Sequence, residues 1–201
     1  MEPRLTPQLI LGSSSPYRRA LLERLGLAFE VRVPDIDETP LPAEAPADTA
    51  CRLAHAKALT VARGAEGCIV IGSDQVAAGG GSRLGKPGDA TRALAQLLGM
   101  RGCSLHFYTA LHVVEGGSGR SLGSHCDETR VTFRKDLDAA MLERYIAHDR
   151  PFDCAGSAKI ESLGIALLER CESEDPTALI GLPLIALSRI LRGCGIDPLL
   201  P

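Results

Sequence analysis

The architecture is set near the start of the chain by Leu9-Ile10-Leu11-Gly12-Ser13-Ser14-Ser15-Pro16-Tyr17-Arg18-Arg19-Ala20-Leu21-Leu22. Three consecutive apolar residues enter a glycine and three serines, a pattern that predicts a buried strand followed by a polar loop. Leucines at helical spacing come next and stop at Gly26, which predicts a short helix. A strand, a loop and a helix in this order are typical of proteins that layer helices on a sheet.

The serine loop is predicted to bind an anion, because it ends at the N-terminus of the helix. Ser15 is suited to the N-cap and Pro16 to the first helical position, where its missing N–H costs nothing. Arg18 and Arg19 in the first turn oppose the helix dipole, so an anion is needed to explain them. Backbone N–H groups, hydroxyls and guanidinium groups at one point predict a phosphate site. The alternative is a ligand-free capped helix with a solvated arginine face.

Length and composition predict an ordinary globular protein. The 201 residues are 45% hydrophobic and 23% charged, and the formal net charge is −3. This length allows one domain or two small lobes with a sizeable core. Scattered Lys and Arg side chains form no broad basic surface, so we expect no nucleic-acid polymer as a partner. Because no apolar run is long enough to cross a bilayer and no signal-peptide pattern is found, we expect no membrane partner and a cytoplasmic location.

The cysteines indicate a reducing compartment. They stand at positions 51, 68, 103, 126, 154, 171 and 194, without a CxxC pair or a Cys/His cluster. This spacing argues against structural zinc and against a disulfide framework. Most have apolar neighbours, as in Cys68-Ile69-Val70-Ile71, and we expect them to be small buried hydrophobic residues.

A second polar segment follows the apolar run 68–72. The run predicts a strand buried on both faces, and it ends in Ser73-Asp74-Gln75-Val76. Because ligand sites of α/β sheets lie at the carboxyl ends of strands, we expect Asp74 to be the catalytic carboxylate. The alternative is an aspartate that caps the next turn.

Acidic residues and one lysine lie between these two segments. Asp35, Asp37 and Glu38 form either a solvated turn or, beside a phosphate site, a set of candidate metal ligands. Residues 49–63 have an Ala- and Leu-rich helical pattern, with Lys57 near the edge of its apolar face. A lone lysine on a helix is usually solvated.

Residues 80–86 spell most of a Walker A loop, Gly80-Gly81-Ser82-Arg83-Leu84-Gly85-Lys86. Pro87 stands where that loop needs a Mg²⁺-binding Ser or Thr, and Asp89 is suited to cap a helix that starts only later. We therefore reject a P-loop. The glycines are expected at a hairpin tip that returns Lys86 toward Asp74.

The rest of the chain predicts a sheet flanked by helices. In order, we expect a helix after Asp89, a β-meander over 105–133, a helix after Asp138 with a hydrophobic staple, a strand over 163–168 and a helix over 183–192. A small-residue loop at 151–161 carries an Asp, a Lys and a Glu and suits close approach of a ligand. His106 and His112 share one strand face, but without a third ligand we expect no metal site there. The architecture is α/β or α+β with a cleft between two lobes.

Taken together, the polar loops resemble the Maf family of nucleotide pyrophosphatases, a branch of the inosine-triphosphatase-like fold. The matching segments occur in family order: Ser13-Ser14-Ser15-Pro16-Tyr17-Arg18-Arg19, Asp37-Glu38-Thr39, Lys57, Gly72-Ser73-Asp74-Gln75-Val76, Gly85-Lys86-Pro87, Phe107-Tyr108-Thr109, Asp153-Cys154-Ala155-Gly156-Ser157, Lys159-Ile160-Glu161 and Gly181-Leu182-Pro183. An ordered set is far more specific than any one motif. The resemblance implies a single domain over residues 1–201, an α/β fold with a long curved mixed sheet and flanking helices, and a homodimer.

The resemblance also implies an activity. Members of the family hydrolyse a nucleoside triphosphate between the α and β phosphates, with a divalent cation (Mg²⁺ or Mn²⁺) as cofactor. By motif, Asp74 is the general base, and Asp74 and Glu38 bind the metal. The phosphates are then bound by Ser13, Ser14, Arg18, Lys57 and Lys86. Water attack on phosphorus needs these residue types, because cations neutralise the phosphate oxygens and a carboxylate aligns the water.

Three positions indicate the substrate. Tyr17, Gln75 and Glu161 match the family's 7-methyl-GTP subfamily, whereas its dTTP/UTP enzymes have Arg, Thr and Gln there. N7-methylated guanine is cationic and is attracted to an aromatic face such as that of Tyr17, by about 1 to 2 kcal/mol when desolvated. Glu161 is expected to accept hydrogen bonds from the N1–H and the amine of guanine.

Two other functions stay open at this point. One is a dTTP/UTP pyrophosphatase of the same family, and the other is a nucleotide-binding regulator, for instance of septum formation, in which turnover is incidental. Intact Asp74, Glu38 and Lys86 argue against lost catalysis. Ala110, where many members have Gly, and the Gly79-Gly80-Gly81 tip depart from the family pattern, and we expect both to lie away from the cleft.

Overall fold

The protein is built on one sheet of seven strands. A computed structural model describes residues 7–200 and contains β1 (Gln8–Gly12), β2 (Phe29–Arg32), β3 (Cys68–Gly79), β4 (Ser82–Leu84), β5 (Ser104–Glu115), β6 (Ser121–Phe133) and β7 (Leu168–Glu172). The strand order is β2-β1-β3-β5-β6-β7, with β4 paired to β3 off this path. The sheet is mixed, which confirms the α/β prediction. The predicted domain of 1–201 extends at both ends beyond the described residues.

Helices connect and cover the strands. They are α1 (Pro16–Glu23), α2 (Pro46–Ala62), α3 (Ala90–Met100), α4 (Ala139–Asp149) and α5 (Leu184–Gly193), with short 3₁₀ helices at Ala155–Ser157, Leu163–Leu167 and Ala178–Ile180. The predicted N-caps are confirmed: the side chains of Ser15, Asp89 and Asp138 each accept a hydrogen bond from the backbone N–H three residues later.

The parallel half of the sheet contains β1, β2 and β3. β1 pairs parallel with β2 on one side and with β3 on the other, and Gly12 lies opposite Gly72. Parallel neighbours need a crossover connection, which α1 and α2 supply. The serine loop therefore leaves β1 at the edge where parallel strands of this kind place ligand sites.

Strand β3 is longer than the sequence predicts and joins the two halves of the sheet. It continues past Gly72 to Gly79 because it pairs antiparallel with β5 along nearly its whole length, from Ile69 opposite Glu115 to Ala78 opposite His106. Asp74 thus lies inside a strand rather than after one. Gly12, the last residue of β1, pairs with Gly72, and Asp74 lies two residues further along β3. Asp74 therefore borders the space beyond the end of β1, next to the serine loop.

The glycine tip is a hairpin, as predicted. Gly80 and Gly81 separate β3 from β4 and both have positive φ angles, 59° and 79°. Two-residue hairpin loops favour glycine at such positions. The chain then reaches α3 only after the N-cap Asp89, so the segment does not enter a helix as a P-loop does.

Two large apolar cores pack on the sheet, one against its parallel half and β5 and the other against β5 and β6. One packs α1 and α5 against inward residues of β1, β3 and β5, including Leu9, Leu11 and Ile71. The other packs α3 and α4 against β5 and β6, including Phe107 and Phe133. Residues of alternate parity, such as Ile10 and Val70, face α2 on the opposite side, as the period of a strand requires.

Gly72 lets α2 lie close to β3. A side chain at this position would collide with the backbone of α2 at Ala54 and Ala58. Because α2 and β3 lie so close together, Lys57 on α2 contacts Asp74 on β3.

The predicted strand over 163–168 is wrong. Leu163–Leu167 forms a 3₁₀ helix, and strand pairing with β6 begins only at Leu168, opposite Phe133. The reason is a tertiary contact. Asp149 at the end of α4 accepts hydrogen bonds from Ser162 Oγ (2.8 Å) and from the backbone N–H of Gly164 (3.1 Å), which holds this segment away from the sheet.

The cysteines of the described residues are less buried than the sequence predicts. Cys51, Cys103 and Cys171 are exposed and the other four are half-buried; of these, Cys68, Cys126 and Cys194 pack against the edges of apolar clusters. His106 contacts Glu128 and His112 stacks on His55. Residues 7–200 contain no group of three or more His, Cys, Asp or Glu side chains able to hold a metal, and no helix among them has the length and apolarity of a membrane span.

Candidate active site

A cleft of about 350 Å³ gathers every residue that the family resemblance assigns to the site. Its volume lies in the range of small-molecule sites, about 300 to 1,000 Å³. The predicted residues that line it are Ser13, Ser14, Tyr17, Arg18, Glu38, Lys57, Asp74, Gln75, Lys86 and Glu161. Phe107 and Leu179, from the α3–α4 core, add an apolar wall. Ile180, which packs against the α1–α5 core, also lines the cleft, so the cleft borders both cores.

The serine loop is held by its own side chains. Ser13 Oγ accepts a hydrogen bond from the backbone N–H of Ser15 (3.1 Å), and Ser15 Oγ accepts one from that of Arg18 (3.3 Å). Ser13 is buried and Ser14 is exposed. The loop thus presents the N-terminus of α1 to the cleft in a fixed shape, which suits a phosphate group.

Of the two adjacent arginines, only Arg18 serves the cleft. Its Nε donates to the carbonyl oxygen of Gly181 (2.9 Å), and its Nη1 lies 3.5 Å from Ser13 Oγ. Burial lowers the pKa of Arg18, while the negative charges of Asp74 and Glu38 oppose that change. Arg19 instead forms an exposed ion pair with Glu23 at 3.0 Å. The prediction that both arginines require an anion is therefore wrong for Arg19, because the helix turns its side chain to solvent.

Lys57 joins the two predicted metal ligands. Its Nζ lies 2.6 Å from Asp74 Oδ1 and 2.6 Å from Glu38 Oε1. Partial burial raises the pKa of Glu38, but the hydrogen bond and charge of Lys57, with the charges of Lys86 and Arg18, outweigh it and lower the pKa overall. The alternative that Lys57 is merely solvated is wrong, since its side chain is 8% exposed.

The donor set at this point fits a hard divalent cation. Two carboxylates, of Glu38 and Asp74, contact the same ammonium nitrogen, so one small cation can reach both. Mg²⁺ is commonly held by one or two carboxylates, with water and substrate phosphates as the other ligands. The acidic turn of the sequence thus contributes Glu38, whereas Asp37 uses its Oδ1 to accept from the backbone N–H of Thr39.

Another part of the cleft wall is aromatic and acidic. Tyr17 Oη donates to the carboxylate of Asp153, at 3.1 Å from Oδ1 and 3.2 Å from Oδ2. Cys154 Sγ lies 3.7 Å from the same hydroxyl, and Lys159 Nζ lies 5.4 Å from the centre of the ring. Burial, aided by Cys154 and Asp153, raises the pKa of Tyr17, so the phenol stays protonated.

Glu161 and Gln75 also line the cleft, and they do so in different ways. Burial raises the pKa of Glu161, and Lys159 partly opposes this. Gln75 Nε2 contacts Thr109 Oγ1 (2.9 Å) and the carbonyl oxygens of Ala178 (3.1 Å) and Leu179 (3.0 Å). The amide N–H groups of Gln75 are thus occupied by the protein, so this residue shapes the wall of the cleft through the 178–179 segment.

Helix α4 fixes the loop that carries Lys159 and Glu161. Tyr145 Oη donates to the carbonyl oxygen of Ser157 (3.0 Å) and accepts from the backbone N–H of Lys159 (2.9 Å). Asp149 holds the other end of the loop at Ser162 and Gly164. Sequence spacing does not predict this role for Tyr145 or Asp149, because their partners depend on how α4 packs beside the loop.

The two departures from the family pattern lie in different places. The glycine tip is at the β3–β4 turn, away from the residues that line the cleft. Ala110 is closer than expected: it lies directly opposite Asp74 in the β3–β5 ladder and packs with Ala50 and Ala54 of α2.

Known proteins resemble this chain over most of its length. The sequence profile described as "Maf-like protein" matches residues 8–194. A protein of Cupriavidus metallidurans is 55% identical over 94% of both chains, and one of Ralstonia nicotianae is 56% identical over 94% of this chain and 96% of its own. A protein of Bordetella avium is 53% identical over 96% of both chains. All three carry the name 7-methyl-GTP pyrophosphatase.

A solved structure shows a more distant likeness. It is titled nucleoside-triphosphatase / dITP/XTP pyrophosphatase and comes from Mycobacterium abscessus. It aligns with 65% of this chain and 76% of its own length, with a TM-score of 0.39 and 17% sequence identity.

Proposed function

This chain belongs to the Maf family, and from that membership we propose that it is a nucleoside triphosphate pyrophosphatase that hydrolyses 7-methyl-GTP to 7-methyl-GMP and pyrophosphate. Relatives that are 53 to 56% identical carry this name over nearly the whole chain. The observation on which the proposal depends most is geometric. The cation- and carboxylate-rich end around Lys57 and the aromatic, acidic end around Tyr17 belong to one cleft.

The cationic end binds the phosphates in this proposal. Arg18, Lys57 and Lys86 neutralise the phosphate oxygens, while Ser13 and Ser14 offer hydroxyls beside the N-terminus of α1. Lys86 is exposed at the cleft edge and lowers the pKa of Glu38 by its charge, so it already acts on the site at a distance. Positive charge held in place before the reaction stabilises the negative charge that phosphoryl transfer concentrates on oxygen.

Asp74 is the proposed general base. Lys57 fixes its Oδ1 at 2.6 Å, and we assign to the carboxylate the task of aligning the attacking water. The water oxygen bonds to the α-phosphorus, its proton passes to Asp74, and the bond between the α-phosphorus and the bridging oxygen breaks. Pyrophosphate leaves with that oxygen and its electron pair.

Glu38 and Asp74 would hold the divalent cation, Mg²⁺ or Mn²⁺. When bound, such an ion neutralises phosphate charge and acts as a Lewis acid. Lys57 contacts the same two carboxylates, so it sets their spacing before the substrate enters.

The aromatic end selects the base. The face of Tyr17 suits the cationic ring of 7-methylguanine, and Glu161 suits the N1–H and amine donors of its Watson–Crick edge. Gln75, with its N–H groups bound to the 109 and 178–179 region, supports the wall beside the base.

The test is a comparison of substrates with purified protein and Mg²⁺ or Mn²⁺. Pyrophosphate release is measured from 7-methyl-GTP, GTP, dTTP and UTP, and we expect the highest kcat/KM for 7-methyl-GTP. A preference for dTTP or UTP would assign the protein to the other branch of the family. Tight binding with no product, measured by calorimetry and chromatography, would favour a regulator.

We further propose a cytoplasmic enzyme of nucleotide metabolism that removes a modified nucleotide and works as a homodimer. The free thiols of residues 51–194 suit a reducing compartment. Sedimentation or light scattering of the purified protein measures the oligomeric state, and a mass near 21.3 kDa would contradict the dimer.

A further inference from the structure

We propose that Asp153 is a specificity-determining residue that acts through Tyr17: its carboxylate positions the phenol ring and makes it electron-rich, which favours a cationic base over a neutral one. The inference rests on the proposed function and adds Asp153 to the residues that select the base.

The geometry links two distant parts of the chain. Tyr17 stands in the first turn of α1, and Asp153 lies in the loop that precedes the 3₁₀ helix Ala155–Ser157. The hydroxyl of Tyr17 is shared between both carboxylate oxygens of Asp153, at 3.1 and 3.2 Å. Cys154 Sγ donates to the same hydroxyl oxygen from 3.7 Å. Contacts at its hydroxyl therefore hold the ring in one orientation at the wall of the cleft.

The negative charge of Asp153, which accepts the hydrogen bond, makes the ring of Tyr17 more electron-rich. A hydrogen bond donated to a carboxylate is stronger than one donated to a neutral group and draws the O–H bond toward the acceptor. Electron density then shifts into the ring, whose negative face attracts cations. The charge of Asp153 adds to that field. A neutral base gains only stacking on the same ring.

The chain itself supplies evidence that this ring attracts a cation. Lys159 Nζ lies 5.4 Å from the ring centroid, within the range of a cation–π contact. Lys159 comes from the loop that α4 fixes, so the ammonium group and the ring are brought together by separate elements. Together with Glu161, Asp153 makes the base end of the cleft acidic, which a cationic ring compensates.

The experiment compares two substrates in four proteins. kcat/KM for 7-methyl-GTP and for GTP is measured for the wild type, Asp153→Asn, Tyr17→Phe and the double variant, each with the Tm recorded. Asp153→Asn keeps an acceptor of the same shape and removes the charge. We expect it to lower the 7-methyl-GTP/GTP ratio about three- to tenfold. Tyr17→Phe keeps the ring and removes the hydrogen bond, and we expect a similar fall; in that background Asp153→Asn should change the ratio little.

Each contrary result has a distinct meaning. An equal loss on both substrates would show a structural role only and overturn the inference, as would an unchanged ratio in Asp153→Asn. An undiminished effect of Asp153→Asn in the Tyr17→Phe background would show direct contact with the base and also overturn it. If Asp153→Asn does not fold, Tyr17→Phe alone decides the inference through its own ratio. A wild type that does not prefer 7-methyl-GTP would instead overturn the proposed function.

Discussion

The ammonium group of Lys57 lies 2.6 Å from Oδ1 of Asp74, and the two side chains are 8% and 10% exposed. One residue comes from the middle of α2 and the other from the middle of β3, and Gly72 allows the two elements to approach closely enough for the contact. Both charged groups have lost most of their hydration in this position. Each is therefore stabilised there mainly by the opposite charge of its partner.

Removal of Lys57 is expected to destabilise the fold as well as the site. Lys57→Met leaves Asp74 as a nearly buried charge, and we expect the free energy of unfolding to fall by about 3 kcal/mol. Urea unfolding measures the change. The double variant Lys57→Met/Asp74→Asn is expected to be more stable than Lys57→Met alone, because the uncompensated charge is gone. A double variant that shows the sum of both losses would contradict coupling of the pair.

Asp74→Asn is expected to abolish turnover with little effect on substrate binding. The amide cannot take a proton from water, so kcat should fall about 10²- to 10⁴-fold while KM changes only a few-fold. Steady-state pyrophosphate release measures both parameters. Asp37→Asn is the matched control: it lies in the acidic turn, contacts Thr39 and should retain wild-type kinetics.

The two neighbouring arginines form their own controlled comparison. Arg18→Met removes a half-buried guanidinium from the cleft, and we expect kcat/KM to fall about 10²-fold or more, since charge-assisted contacts to phosphate are lost. Arg19→Met removes an exposed side chain paired with Glu23 and should leave kcat/KM within about twofold, because such pairs are weak. Equal losses in both variants would contradict the assignment of Arg18.

The preference for 7-methyl-GTP is expected to depend on pH through Glu161. Burial raises the pKa of this carboxyl, so it is protonated at a higher pH than an ordinary glutamate, and the ionised form is lost as pH falls through that raised pKa. The 7-methyl-GTP/GTP ratio of kcat/KM should fall in the same window. The effect of Glu161 on stability runs in the other direction from its effect on the substrate ratio. Because the pKa of Glu161 is raised in the folded state, its stabilising contribution is fully present below the unfolded-state pKa and is lost as pH rises through the folded-state pKa.

Two variants check this interpretation. Glu161→Gln should show a ratio that does not vary over the window. Lys159→Met removes a positive charge that lowers the pKa of Glu161, so the fall should move to higher pH. A wild-type profile identical to that of Glu161→Gln would contradict a role for the carboxylate.

We expect the activity to require a divalent cation and its metal requirement to depend on Glu38. Chelation by EDTA should abolish pyrophosphate release, and added Mg²⁺ or Mn²⁺ should restore it. Glu38→Gln removes one of two carboxylates, and we expect the metal concentration for half-maximal activity to rise about tenfold, with partial recovery at high metal. Glu44→Gln, at the other end of the same loop, tests whether loop position alone has this effect. A metal requirement unaltered in Glu38→Gln would contradict the assignment.

The residues that line this cleft can be named from the sequence because their motifs are short and chemically specific. The serine loop, the N-cap Ser15 and the first helical proline act within a few residues, where local sterics and hydrogen bonding decide the conformation. The hairpin glycines adopt positive φ angles for the same local reason. The structure places Asp74 and Glu38, which the motifs name, in the wall of the same cleft.

Only the tertiary structure decided how these residues are partnered. The length of β3 depends on its pairing with β5, and the 3₁₀ helix at Leu163–Leu167 depends on hydrogen bonds of its segment to Asp149. The bond between Tyr17 and Asp153 spans 136 residues, and no periodicity reports it. Residue types and their spacing determine which chemical groups are present in each segment. Which side chains contact one another is set by the packing of the helices and strands, and the separation of two residues in sequence does not report the distance between them in space.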